Sequence, residues 1–118
     1  MKFVETGIDG AWVVELPRFS DERGWFQEWF KLSHFTRDIG VEFVPVQANI
    51  SKSKAGTIRG IHYSLAPEGQ GKLITVMSGA IDDYVVDIRY GSPTFGEWRR
   101  IRLDDSSPAA VLIDPHLG

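Results

Sequence analysis

The sequence predicts a mainly β protein, a sandwich or barrel of jelly-roll type with one short helix. Three observations carry that expectation. Apolar and polar residues alternate with a period of two, turn residues interrupt the alternation at short intervals, and no internal repeat or low-complexity linker divides the chain. Roughly eight short strands in a row fit an antiparallel architecture that is closed or two-layered. The 118 residues suit one domain with a modest core, so residues 1–118 are expected to form a single unit.

The strands are expected at Trp12 to Leu16, Trp25 to Phe30, Val44 to Ile50, Thr57 to Tyr63, Lys72 to Met77, Ile81 to Ile88, Glu97 to Leu103 and Ala109 to Ile113. Ser78-Gly79 makes a tight link between two of them. The helix is expected at Leu32 to Ile39, where Leu32, Phe35 and Ile39 share a face, with Ser33 as cap and Gly40 as terminator. Tyr90 to Gly96 reads as a turn, because its Gly and Pro residues set backbone geometry that a strand does not hold. Trp25 to Phe30 is apolar on both faces: Phe26 and Phe30 flank Glu28 on one, Trp25 and Trp29 flank Gln27 on the other. Such a strand is expected to be covered on both sides, and in so small a protein a second subunit is a reasonable cover.

Composition narrows the function classes. At 42% hydrophobic and 25% charged the chain is of ordinary globular type, and with no cysteine it holds neither disulfides nor thiolate metal sites. The first residues lack the apolar run of a signal peptide, and no segment approaches the roughly 20 apolar residues of a membrane span. A cytoplasmic location without membrane contact is therefore expected. A net charge of -3 argues against general nucleic-acid binding, which depends on clustered cations, but leaves room for one small phosphate-bearing ligand.

The chemistry concentrates in Gly56 to Tyr63 and at Lys72. Arg59, His62 and Lys72 bring a guanidinium, an imidazole and an ammonium into one short window. Histidine can take a proton near neutral pH, while fixed cations stabilise an enolate or hold a phosphate. A lone histidine in an apolar strand reads first as a hydrogen-bonded core residue, and a lone Arg or Lys as a surface cation. The three together, among apolar neighbours, favour a site. Gln47 and Asn49, two apart, offer two amides on one side. Arg59 and His62 are three apart and would face opposite ways in a regular strand, so a bulge or local break is expected near Gly60.

Six segments in order, Asp21-Glu22-Arg23-Gly24, Gln47 to Ser51, Arg59-Gly60-Ile61-His62, Gln70-Gly71-Lys72, Val86-Asp87-Ile88-Arg89 and Gly91 to Gly96, resemble the dTDP-4-dehydrorhamnose 3,5-epimerase family. The resemblance implies a cupin-type jelly roll (double-stranded β-helix), a dTDP-4-keto-6-deoxyhexose substrate, and no metal or nicotinamide cofactor. It further implies a homodimer with N-terminal strand exchange. It extends to relatives that invert C3 alone.

By resemblance, His62 matches the general base and Lys72 the cation near the enolate oxygen. Arg59, Gln47 and Asn49 match substrate-binding positions, and Arg23 and Glu28 match residues that reach the ligand from the neighbouring subunit. Asp83 and Asp87 fall in the family's acidic strand, with Asp83 the preferred pocket neighbour. After Asp114-Pro115-His116-Leu117-Gly118 the family continues into a His-Gly-Phe segment and a long stretch with a second histidine, a tyrosine acid and the carboxylate that orients the base. The sequence is thus expected to be the N-terminal portion of an epimerase, C-terminally incomplete, and inactive or severely impaired alone. Two other readings stay open: a catalytically silent sugar-nucleotide-binding or dimerisation module, and a metal-dependent cupin, for which His34, His62 and His116 form no His-x-His pair.

Overall fold

The computed structural model describes residues 1–118. Its elements run β1 (Lys2–Glu5), β2 (Ala11–Glu15), β3 (Arg18–Asp21), β4 (Gly24–Gln27), α1 (Leu32–Ile39), β5 (Lys72–Thr75), β6 (Ala80–Val86), β7 (Trp98–Asp104) and β8 (Ala109–Ile113). Four strands form a sheet in the order β1-β2-β8-β5, and β3-β4 and β6-β7 form two separate hairpins. All pairs are antiparallel.

Strand β8 organises the interior. Its sequence, Ala-Ala-Val-Leu-Ile, carries no polar side chain, as suits a strand covered on both faces. Val111 and Ile113 join Ala11, Val85 and Leu103 in a core between the four-stranded sheet and the β6-β7 hairpin. Ala110 and Leu112 point the other way and join Val14 and Phe35 in a core beneath α1. The helix docks through Phe35, fully buried and in ring contact with Phe3 at 5.0 Å and Phe30 at 5.2 Å. It ends where Gly40 enters the left-handed region at φ 69°, the Gly40 N–H bonding the Thr36 carbonyl and the Val41 N–H that of Phe35.

The turn at Tyr90 to Gly96 is built around Asp87. This buried carboxylate accepts bonds from the Arg89 guanidinium at 3.0 and 2.9 Å and from the hydroxyls of Ser92 and Thr94, both at 2.6 Å. Asp87, placed by resemblance in the acidic strand, lies just past the end of β6 and is a loop anchor, its carboxylate's partners all drawn from within seven residues.

Several expectations are corrected. Residues 44–50 and 57–63 pair with no strand, although their alternation is plain. The strand expected at Trp25 to Phe30 stops at Gln27, and Phe30 turns into the aromatic cluster with Phe35 and Phe43. Its faces are open in the single chain: Trp25 and Phe26 are 48% and 68% exposed. The short strands β1 and β3, absent from the sequence reading, pair with β2 and β4. At the helix start Lys31 holds the cap position without a side-chain bond, and Ser33 lies inside the helix. Near Gly60, at φ 95°, there is a break and no bulge, since no ladder exists there to be bulged.

Candidate active site

Between the two sheets, at the end where β5 and β6 face each other, lies a cavity of about 140 Å³. Register explains its walls. Lys72 and Ile74 alternate with Leu73, so while Leu73 packs under α1 the other two turn to the opposite face. Lys72 pairs with Ile113 of β8, which lines the same wall. Across from them Asp83 shares the inward face of β6 with buried Val85. The irregular segment carrying Arg59, Gly60, Ile61 and His62 covers the cavity.

Freed from a strand's pleat, Arg59 and His62 both line this space, as the sequence argument required. The Arg59 guanidinium also donates to the Ser53 hydroxyl at 3.2 Å, and the Lys72 ammonium donates to the main-chain oxygen of His62 at 3.0 Å. Lys72 is only partly exposed, and burial pushes its pKa below the ordinary lysine value, with the negative charge of Asp83 pulling it back up. Asp83 is shifted the other way: burial raises it, while the Tyr84 amide and the Lys72 charge oppose the rise. The two make no direct ion pair, and Asp83 Oδ2 is buried without a hydrogen-bond partner. The cavity thus holds two opposite charges that each carry a desolvation cost, beside an imidazole and a guanidinium.

The other expected site residues lie apart from it. Gln47 and Asn49 bond each other, amide to carbonyl, at 3.2 Å on an exposed stretch. Arg23 pairs with Asp21 at 2.6 Å at the tip of the β3-β4 hairpin, beside a second, open hollow of about 430 Å³ lined by Phe19, Trp25 and Phe26. Glu28 lines neither space. Asp87, as described, is engaged in its loop. The cavity also takes in Ile74, Tyr84 and Ile113, which the sequence reading did not single out. Ile74 was within reach of it by period two from Lys72. No three histidine or acidic side chains converge as metal ligands.

The fold recurs in known proteins. The profile of the dTDP-4-dehydrorhamnose 3,5-epimerase family matches residues 5–118. The chain belongs to this family. It is 42% identical over 118 residues to a dTDP-4-dehydrorhamnose 3-epimerase of Streptomyces niveus, and 44% identical over 114 residues to a dTDP-4-dehydrorhamnose 3,5-epimerase of Mycolicibacterium smegmatis. Those alignments cover 100% and 97% of this chain and 57% of each relative. A solved Legionella pneumophila 3,5-epimerase in complex with dTDP-4-keto-L-rhamnose superposes with a TM-score of 0.92 at 36% identity, over 98% of this chain and 61% of that one. The architecture is accordingly the family's cupin-type jelly roll, and the chain spans somewhat over half the length of the curated relatives it matches. No helix is long and apolar enough to cross a membrane.

Proposed function

We propose that this chain carries the proton-abstracting part of a dTDP-4-keto-6-deoxyhexose epimerase in deoxysugar biosynthesis. The observation that carries the proposal is the shared cavity of His62, Lys72, Arg59 and Asp83 in a member of this family. A C–H bond beside a ketone is weakly acidic, so the base needs an electrostatic partner for the charge that moves onto oxygen. His62 takes the proton from C3, the C–H electron pair forms the C3–C4 enolate, and the negative charge on the C4 oxygen meets the Lys72 ammonium. Return of a proton to the opposite face of C3 re-forms the ketone with inverted configuration. The same cycle at C5 gives the 3,5-epimer.

Arg59 serves as a phosphate or sugar contact at the cavity's edge. Gln47 and Asn49 contact the ligand along the arm leading to it, and Arg23 and Glu28 act on the ligand of a second subunit of a cytoplasmic homodimer. The exposed aromatic hairpin β3-β4 supports that last assignment, since it leaves Phe19 and Phe26 open on one face and Trp25 half-exposed on the other.

Solvent-deuterium incorporation at C3 and C5 of dTDP-4-keto-6-deoxyglucose tests the proposal, with the chain measured alone and within a polypeptide of the family's full length. Exchange by the long form that depends on His62 is the expected result. Tight ligand binding with no exchange in the long form would mark a sugar-nucleotide-binding module instead.

A further inference from the structure

The segment that carries His62 is held to the sheets by one hydrogen bond. Between Glu42 and Glu68 the chain otherwise forms only local bonds: Gln47 to Asn49, the Thr57 amide to the Lys54 carbonyl, Arg59 to Ser53, the Ala66 amide to Ser64, and the Gly69 amide to the Ala66 carbonyl. The one bond from this segment to a strand runs from the Lys72 ammonium to the His62 main-chain oxygen. Apolar packing helps at the start, where Phe43 stacks on Phe35 at 6.0 Å. Near His62 the side chains of Ile58, Tyr63 and Leu65 are 94%, 56% and 88% exposed, and apolar packing there comes from half-exposed Ile61, which lies against Gly118 at the cavity wall.

A lysine ammonium has three N–H bonds, and the His62 carbonyl uses one. The remaining two have no protein partner. We infer that Lys72 is a positioning residue for His62 as well as a charge for the ligand: one ammonium grips the base's main chain and the ligand's carbonyl oxygen together. Because the oxygen and the carbon that loses its proton are joined through one C–C bond, fixing the first relative to His62 fixes the second. The distance from base to carbon is then set by β5, a regular strand, although the base sits on an irregular one. The second half of this inference rests on the epimerase reading. The tether itself does not.

Backbone ¹⁵N relaxation of the 118-residue chain tests both halves. In wild type the amides of His62 and Tyr63 are expected to be ordered, with order parameters near ~0.85. In Lys72→Met, which keeps the stem and loses the donors, they should fall below ~0.6 while the amides of β8 are unchanged. Lys72→Arg, which retains charge and donors, should restore order. Equal order parameters in wild type and Lys72→Met would overturn the tether. Should Lys72→Met disturb β8 too, the Lys72→Arg variant and the ligand arm decide.

In that arm, saturating dTDP-4-keto-6-deoxyglucose should leave His62 and Tyr63 as ordered or more so. A loss of order on binding would show the ammonium leaving the carbonyl for the ligand and would overturn the dual grip. A full-length form that fails to exchange deuterium while the tether results stand would refute the epimerase reading and spare the tether.

Discussion

Asp87 and Arg89, two residues apart where the chain leaves β6, meet as a two-pronged ion pair whose carboxylate is wholly shielded from solvent. The Arg89 guanidinium is the largest of the influences that hold Asp87 far below the usual carboxylate range, and the Ser92 and Thr94 hydroxyls add to it against the cost of burial. A carboxylate depressed in the folded state contributes stability above its unfolded value, near ~3.9, and loses that contribution as pH falls through its folded value. Urea midpoints are thus expected to drop from pH 5 to pH 3 in wild type, and less steeply in Asp87→Asn. At pH 7, Asp87→Ala is expected to cost about 3 kcal/mol, because it strands a half-buried guanidinium and two hydroxyls. A loss within experimental error would show the loop to be held by its own turns.

Asp83 has a different part. It is the anionic group facing Lys72, whereas Arg59 faces the cavity with the same sign as Lys72, and His62 and Tyr84 complete the titratable lining. Burial already lowers the Lys72 pKa, and the Asp83 charge offsets some of that. If the ammonium form is the working one, activity falls as pH rises through this depressed value, earlier than an ordinary lysine would allow. In a polypeptide of the family's full length, Asp83→Asn should move the alkaline limb of the exchange rate further down, by about one pH unit. An unmoved limb would separate Asp83 from Lys72.

The β3-β4 hairpin makes a separate prediction. Phe19 and Phe26 face each other across the hairpin at 62% and 68% exposure, with Trp25 under Arg18 on its other side. Surfaces of this kind are usually covered. Sedimentation velocity should report a dimer for the wild-type chain and a monomer for Phe26→Glu, with the thermal midpoint little changed. A wild-type monomer at micromolar concentration would remove the hairpin from the assembly argument.

Legibility in the sequence followed the presence of a partner strand. Ile81 to Ile88, Glu97 to Leu103 and Ala109 to Ile113 were readable to within two residues, because each finds a hydrogen-bonded neighbour inside this chain. Residues 44–50 and 57–63 alternate just as well, yet a strand needs another backbone for its N–H and C=O groups, and alternation says nothing of whether one is supplied. Val46, Ile50 and Ile58, each above 90% exposed, are what that pattern looks like without a partner. Lys2–Glu5 and Arg18–Asp21 failed in the opposite sense: too short to announce themselves, they are strands because β2 and β4 lie beside them.

Within the site, Arg59, His62, Lys72 and Asp83 were legible as residue types, and the conflict between Arg59 and His62 pointed to broken backbone at the right place. What resolved it was the absence of a ladder. The bond from Lys72 to the His62 carbonyl had no sequence signal, since a main-chain acceptor leaves none.

The most direct measurement is deuterium wash-in at C3 of dTDP-4-keto-6-deoxyglucose by this chain within a polypeptide of the family's full length, and by its His62→Ala and Lys72→Ala variants. The account predicts rapid wash-in by the parent, none detectable with His62→Ala, and a loss on the order of 100 to 1000-fold with Lys72→Ala. Near-parental exchange in both variants would contradict it and place the base and the enolate's counter-charge elsewhere.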